Sequence, residues 1–216
     1  CDWSSDVCSS DLSELFRIPK MADMPKITPP IAQPNDPDFA PYRRDEHTLV
    51  RKWALPGTEG LRHRIGGLEK TDIFGAVSTD PLNHEKMVNY RRDKVNLVAN
   101  DIPEQDIIGN KEGDLLVVSW GGTFGQTLMA VKKIQEQGKQ ISLAHFKYIS
   151  PLPKNTAEVM KGFKKIVVCE LNDGQFVNYL RMKLPEFSYY QYNKHQGLPF
   201  TTEELMLEFN QLIEEK

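Results

Sequence analysis

DLLVVSW, residues 114–120, runs directly into GGTFGQTLMAVKKIQEQG, residues 121–138, and this junction decides the fold. Leu115–Val118 form an apolar run too short for a helix, so the segment reads as a buried strand. The glycines make a turn, after which Leu128, Val131 and Ile134 recur at helical spacing. The alternation continues with a strand at ISLAHF (141–146), a helix at PKNTAEVMKGF (153–163) and a strand at KIVVCEL (165–171). A turn and helix follow at NDGQFVNYLRMKL (172–184). Strands and helices alternating through short loops specify an α/β fold with a mainly parallel sheet covered on its faces. A last helix, TTEELMLEFNQLIEEK, opens with Thr201 or Thr202 as cap and with acids in its first turn.

Upstream the texture differs. Between Ser13 and Pro56 lie Pro19, Pro25, Pro29, Pro30, Pro34, Pro37, Pro41 and Pro56. Each removes a backbone donor and pushes its predecessor toward extended geometry. The segment reads as an extended connector, with Phe16, Ile18, Ile27, Ile31, Phe39, Tyr42 and Trp53 as anchors against a domain surface. Residues 57–80 hold five glycines and show no helical period, which suggests a loop or hairpin around Gly66-Gly67. Asp80-Pro81 then supplies an N-cap and a first-turn proline for a helix through about Ala99, with Met87, Tyr90 (or Val88), Val95 and Val98 toward one face.

The first twelve residues, CDWSSDVCSSDL, have no apolar periodicity and resemble a reading frame through a sequencing-library adapter. On that reading the natural protein begins before Ser13 and its upstream part is missing. Without Asp2, Asp6 and Asp11, 27 basic residues face 27 acidic ones, and no electrostatic case for nucleic acid remains. Cys1 and Cys8 leave with the segment, so Cys169 stands alone in the apolar run KIVVCEL as an inert packed thiol. One cysteine makes no disulfide, and it cannot hold an iron–sulfur cluster or a cysteine-based zinc site. No run approaches the roughly 20 apolar residues of a membrane span, and a cytoplasmic protein is expected.

Two motifs could carry chemistry. At Gly121, Gly122 and Gly125, glycines between a strand and a helix let backbone N–H groups approach an anion. The spacing matches neither a dinucleotide fingerprint nor a phosphate-binding P-loop, so a structural tight turn is the competing reading. At Arg62-His63-Arg64, beside Gly66-Gly67, clustered cations could grip a carboxylate or phosphate. The alternative there is a surface loop whose charges pair locally with Glu59, Glu69 and Asp72. His47, His84, His145 and His195 show no metal-ligand spacing, and Asn172-Asp173-Gly174 reads as a turn with helix-cap chemistry.

Taken together, FRIPKMADMP, PYRRDE, LPGTEGLRHRIGGLEK…STDPLNHEKMVNYRRDKV, DLLVVSWGGTFGQT, KYISPLPKN, ELNDGQ and NKHQGLPF resemble the C-terminal part of the alpha subunit of 2-oxoacid:ferredoxin oxidoreductases, closest to the 2-oxoglutarate type. The resemblance implies an enzyme that decarboxylates a 2-oxoacid on thiamine diphosphate, reduces ferredoxin through iron–sulfur chemistry and forms an acyl-CoA. It places residues 13 to about 24 at the end of a pyrimidine-binding domain and the stretch to 111 in a connector carrying one helix. Residues 112–216 become a transketolase C-terminal-like domain. Thiamine diphosphate, magnesium and the cluster would lie in the intact complex, largely on the beta subunit, with none held by this piece. Gly122 stands where the family often has serine, and no catalytic residue carries over. The expected role is therefore assembly with the beta subunit rather than chemistry, and the piece alone is expected to be inactive. The alternative is a stand-alone α/β module that binds an anionic ligand at the GGTFG turn.

Overall fold

A computed structural model describes residues 18–215, and the adapter-like segment and Phe16 lie outside them. The chain divides into two compact units, one spanning Arg17–Asp101 and the other Ile102–Lys216.

The second unit is the α/β domain. Its elements are β1 (Gly113–Trp120), α2 (Phe124–Glu136), β2 (Ile141–Phe146), α3 (Thr156–Lys161), β3 (Phe163–Glu170), α4 (Gln175–Lys183), β4 (Tyr190–Asn193) and α5 (Thr202–Glu214), with α1 (Pro81–Leu97) belonging to the first unit. The four strands pair in the order β2-β1-β3-β4, and every pairing is parallel. The outer edge of β2 is partly closed by Ile108, which exchanges backbone hydrogen bonds with Leu143 at 2.8 and 3.0 Å.

Strand periodicity sorts the core into two layers. Leu115, Val117, Leu143, Val167 and Cys169 face α2 and α5, where Val131, Ile134, Leu205 and Phe209 meet them. Leu116, Val118, Ala144, Val168 and Phe146 face α3 and α4, meeting Met160, Phe176, Val177 and Leu180. Both sheet faces are covered, as the near-continuous apolar strands require. The helix expected at 153–163 is shorter than its sequence, because the Pro153 carbonyl accepts both the N–H and the hydroxyl of Thr156 and holds the first residues in a turn. The cap of α5 is Thr201, in a reciprocal arrangement with Glu204. Cys169 is fully buried, and burial raises its thiol pKa far above the ordinary range, as an inert thiol requires.

In the first unit, α1 (Pro81–Leu97) starts where Asp80-Pro81 specifies, with Asp80 accepting from the Leu82 N–H at 3.0 Å. Its expected apolar face is a correction. Met87 is buried and Tyr90 partly buried, whereas Val88, Val95 and Val98 are exposed, as is Leu82. Apolar residues are spread around this helix instead of forming a stripe that its own unit covers. The antiparallel bridge of the glycine-rich region joins Lys70 to Val77, while Gly66-Gly67 stays in an exposed loop. Of the expected anchors, Ile18, Ile27, Ile31 and Trp53 are exposed, whereas Phe39 and Tyr42 are partly buried. No helix among the described residues is long and apolar enough to cross a membrane.

Candidate functional site

In open parallel sheets the carboxyl ends of the strands collect the loops that bind ligands. Here that edge assembles Trp120-Gly121-Gly122 after β1, Phe146 at the end of β2, Glu170 with the Asn172–Gly174 turn after β3, and Asn193 at the end of β4.

Glu170 is the principal buried group, with no exposed surface. It accepts from the Phe176 and Val177 N–H groups at 2.8 and 3.0 Å and from the Trp120 indole at 3.2 Å. A carboxylate on the first N–H groups of α4 also complements the helix dipole. Asn172 accepts from the Gly174 and Gln175 N–H groups, both at 2.9 Å, which is the cap chemistry expected for that turn. The N-terminus of α4 is thus satisfied from within the chain.

The turn before α2 differs. Gly121 has a φ of +60°, and Gly121–Thr123 form a 3-10 turn without a side-chain cap. The Thr123 hydroxyl donates to the Trp120 carbonyl at 2.8 Å and tightens it. A Cβ built on Gly121 or Gly125 would meet nothing within 4 Å. Gly121 is therefore required by its backbone conformation, and Gly125 by no contact among the described residues. Below the turn, Ser119 bonds the His145 Nδ1 at 2.8 Å, and Phe124 lies 4.8 Å from the imidazole. Burial, aided by Lys147, lowers the His145 pKa from 6.5 to about 4.

This shift gives a prediction whose sign follows from linkage. The folded state favours neutral His145, so its contribution is full above about pH 6.5 and is lost as pH falls toward 4. Between pH 7 and 5 the chain should lose about 1–2 kcal/mol through this group. Urea midpoints measured across that interval should fall less steeply in His145→Gln. Equal slopes in the two proteins would refute the assignment.

The cationic loop lies in the first unit. Arg62, Arg64, Gly66 and Gly67 are exposed, while His63 turns inward, bonding the Leu61 carbonyl at 2.8 Å and lying 5.6 Å from the Phe39 ring. Lys70, at 2% exposure, fixes the loop from beneath by donating to the carbonyls of Gly66 and Leu68. Local pairing with Glu59, Glu69 and Asp72 is not what forms. Glu69 binds His84 at 2.8 Å and Arg91 at 3.2 Å, and Asp72 binds Arg44 at 3.0 Å and Lys86 at 2.8 Å. The Arg91 and His84 contacts hold the Glu69 carboxyl at a pKa of about 2. Arg62 and Arg64 make no ion pair among the described residues.

Each set of expected positions is thus assembled within its own unit: Arg62, His63, Arg64, Gly66 and Gly67 in the first, Gly121, Gly122 and Gly125 in the second. Sequence reasoning missed Glu170 because it closes an apolar strand. The detectable signal was a carboxylate preceding an Asn-x-Gly turn and a helix.

No protein-family model matches the chain. It is 39% identical over 180 residues to the KorA subunit of 2-oxoglutarate oxidoreductase from Mycobacterium tuberculosis, a match that covers 83% of this chain and 27% of that protein. It is 28% identical over 110 residues to the alpha subunit of 2-oxoacid:ferredoxin oxidoreductase 1 from Aeropyrum pernix, covering 48% of this chain and 17% of the relative. Among solved structures, the 2-oxoglutarate:ferredoxin oxidoreductase from Magnetococcus marinus with 2-oxoglutarate, coenzyme A and succinyl-CoA bound superposes with a TM-score of 0.72 at 28% identity, over 80% of this chain and 30% of that one. The chain spans about a quarter of the length of the first of these relatives.

Proposed function

We propose that this chain, a homologue of the alpha subunits of 2-oxoacid:ferredoxin oxidoreductases, is part of such a subunit in an enzyme that oxidatively decarboxylates 2-oxoglutarate. The enzyme would form an acyl-CoA and reduce ferredoxin in the cytoplasm. The observation that carries this reading is the 39% identity to the mycobacterial subunit over most of the chain. In this proposal residues 112–216 are the transketolase C-terminal-like domain and residues 13–111 the end of the pyrimidine-binding domain and a connector. The likeness to a structure containing 2-oxoglutarate and coenzyme A supports the choice of substrate.

Thiamine diphosphate, magnesium and an iron–sulfur cluster supply the decarboxylation and electron-transfer chemistry of the intact complex. The described residues do not fit a metal or cluster. Cys169 lies within the sheet core, and no three His, Cys, Asp or Glu side chains are grouped to hold a metal among the described residues. The contribution of this chain is assembly with a beta subunit. Two features support that role: exposed guanidiniums at Arg62 and Arg64 without acid partners among the described residues, and open space beside Gly121 and Gly125. We place these residues, with His63, Gly66, Gly67 and Gly122, toward a ligand or subunit interface.

The test is the double variant Arg62→Gln/Arg64→Gln in an alpha subunit that contains this sequence, co-expressed with its beta subunit. Turnover per assembled complex should stay within about twofold, while association weakens about tenfold and becomes less sensitive to salt. A large loss of turnover with intact assembly would give the loop a direct catalytic role and contradict the proposal.

A further inference from the structure

The hairpin closed by the Arg44–Arg51 bridge carries a charge arrangement that the described residues leave uncompensated. Arg44 and Arg51 are direct cross-strand partners, and like charges placed opposite one another destabilise a pair of strands. Arg44 is neutralised: it donates to Asp72 at 3.0 Å and to the Tyr42 carbonyl at 2.9 Å, and it lies 4.5 Å over the Tyr90 ring. Arg51 is not. Its guanidinium lies 4.4 Å over the Tyr42 ring and donates one N–H to the Pro41 carbonyl at 3.3 Å, and no carboxylate pairs with this partly buried cation among the described residues. A guanidinium has five N–H donors, and a charge withdrawn from water is costly unless paired.

The same hairpin lines a cavity of about 510 Å³. That size lies within the roughly 300–1,000 Å³ of small-molecule sites. Pro30, Ala40 and Val50 give it apolar walls, and Arg43 and Lys52 join Arg51 among its cations. Its two acids do not balance Arg51. Asp45 Oδ1 accepts from the His47 and Thr48 N–H groups and from the Thr48 hydroxyl, and Asp38 is largely exposed, 3.9 Å from Arg43. Lys52 is held by Asp36 at 2.6 Å.

We propose that this cavity binds a small molecule bearing one carboxylate or phosphate on an apolar body, with the anionic group on Arg51 and Arg43 as the secondary contact. Planar, bidentate recognition by Arg51 suits either anion. The apolar walls favour a ligand with a hydrophobic portion over a bare ion. The inference rests on the first unit alone and is independent of the enzyme assignment.

Isothermal titration calorimetry of the 216-residue chain with phenylacetate and phenyl phosphate tests the site. At least one probe should bind saturably at one site per chain, and the tighter probe identifies the preferred anion. Arg51→Gln should weaken binding about tenfold and Arg51→Lys less. Arg92→Gln, which removes a charge paired with Asp93 at 2.9 Å outside the cavity, should leave binding unchanged. If circular dichroism shows Arg51→Gln unfolded, Arg43→Gln provides the reading, with an expected loss of about threefold. Absence of saturable binding by both probes overturns the proposal. So does equal weakening by Arg92→Gln, or unchanged binding in the folded arginine variants of the cavity.

Discussion

Replacing Glu170 by alanine should cost the α/β unit about 3–5 kcal/mol, the largest single-residue effect expected in this chain. The carboxylate is fully buried and serves three donors from two elements, the Phe176 and Val177 N–H groups of α4 and the Trp120 indole at the end of β1. Its removal leaves those donors desolvated without acceptors and takes away a negative charge from the start of α4. Glu170→Gln keeps an acceptor of similar shape and should lose about half as much. Urea unfolding followed by far-UV circular dichroism measures both. A loss below about 1 kcal/mol for the alanine variant would mean that the carboxylate does not organise this edge.

Gly162→Ala should cost about 3 kcal/mol by a different mechanism. Gly162 ends α3 and enters β3, and its carbonyl accepts from the Gly113 N–H at 3.0 Å where the starts of β1 and β3 meet. Its φ of −71° suits any residue, so conformation does not demand glycine. Space does. A Cβ at this position would run into the Lys111 carbonyl oxygen, and that atom belongs to backbone that cannot move like a side-chain tip. Gly138→Ala provides the contrast, since a Cβ there meets nothing within 4 Å although φ is +83°. Its penalty should come from the left-handed backbone alone, about 1–2 kcal/mol. If both variants lost the same stability in the urea series, close packing at Gly162 would not be what fixes the sheet entrance.

The sheet was legible where its strands are apolar on both faces. DLLVVSW (114–120), ISLAHF (141–146) and KIVVCEL (165–171) read as strands because they are short, largely apolar runs between helical segments, and the structure covers both their faces with helices. β4 was not legible. Tyr190-Gln191-Tyr192-Asn193 is a four-residue edge strand with Tyr190 and Gln191 exposed, and its pairing with Val167–Glu170 is a tertiary event that its own residues do not announce. The apolar face assigned to α1 failed for a related reason. Spacing gives the helix but not what covers it, and of the expected positions Met87 is buried and Tyr90 partly so, while Val95 and Val98 stay exposed.

The candidate sites divide the same way. Asn172-Asp173-Gly174 signalled a capped helix because Asx chemistry is local, and the structure has that cap. The partners of Glu69 and Asp72 were hidden because they come from far along the chain, His84 and Arg91 for one and Arg44 and Lys86 for the other. Those distant contacts leave Arg62 and Arg64 without the acids that local reading assigned to them. A local turn places Arg44 opposite Arg51, and the distant Asp72 then supplies an acid to Arg44 alone.

As a proposed non-catalytic part of an alpha subunit, this chain should need the assembled complex for activity. Viologen reduction dependent on 2-oxoglutarate and coenzyme A tests it most directly, assayed side by side for the 216-residue chain alone and for the complex of a beta subunit with an alpha subunit containing this sequence. The complex should turn over, and the chain alone should not. Turnover by the chain alone, or a correctly assembled complex that fails to oxidise 2-oxoglutarate, would contradict it.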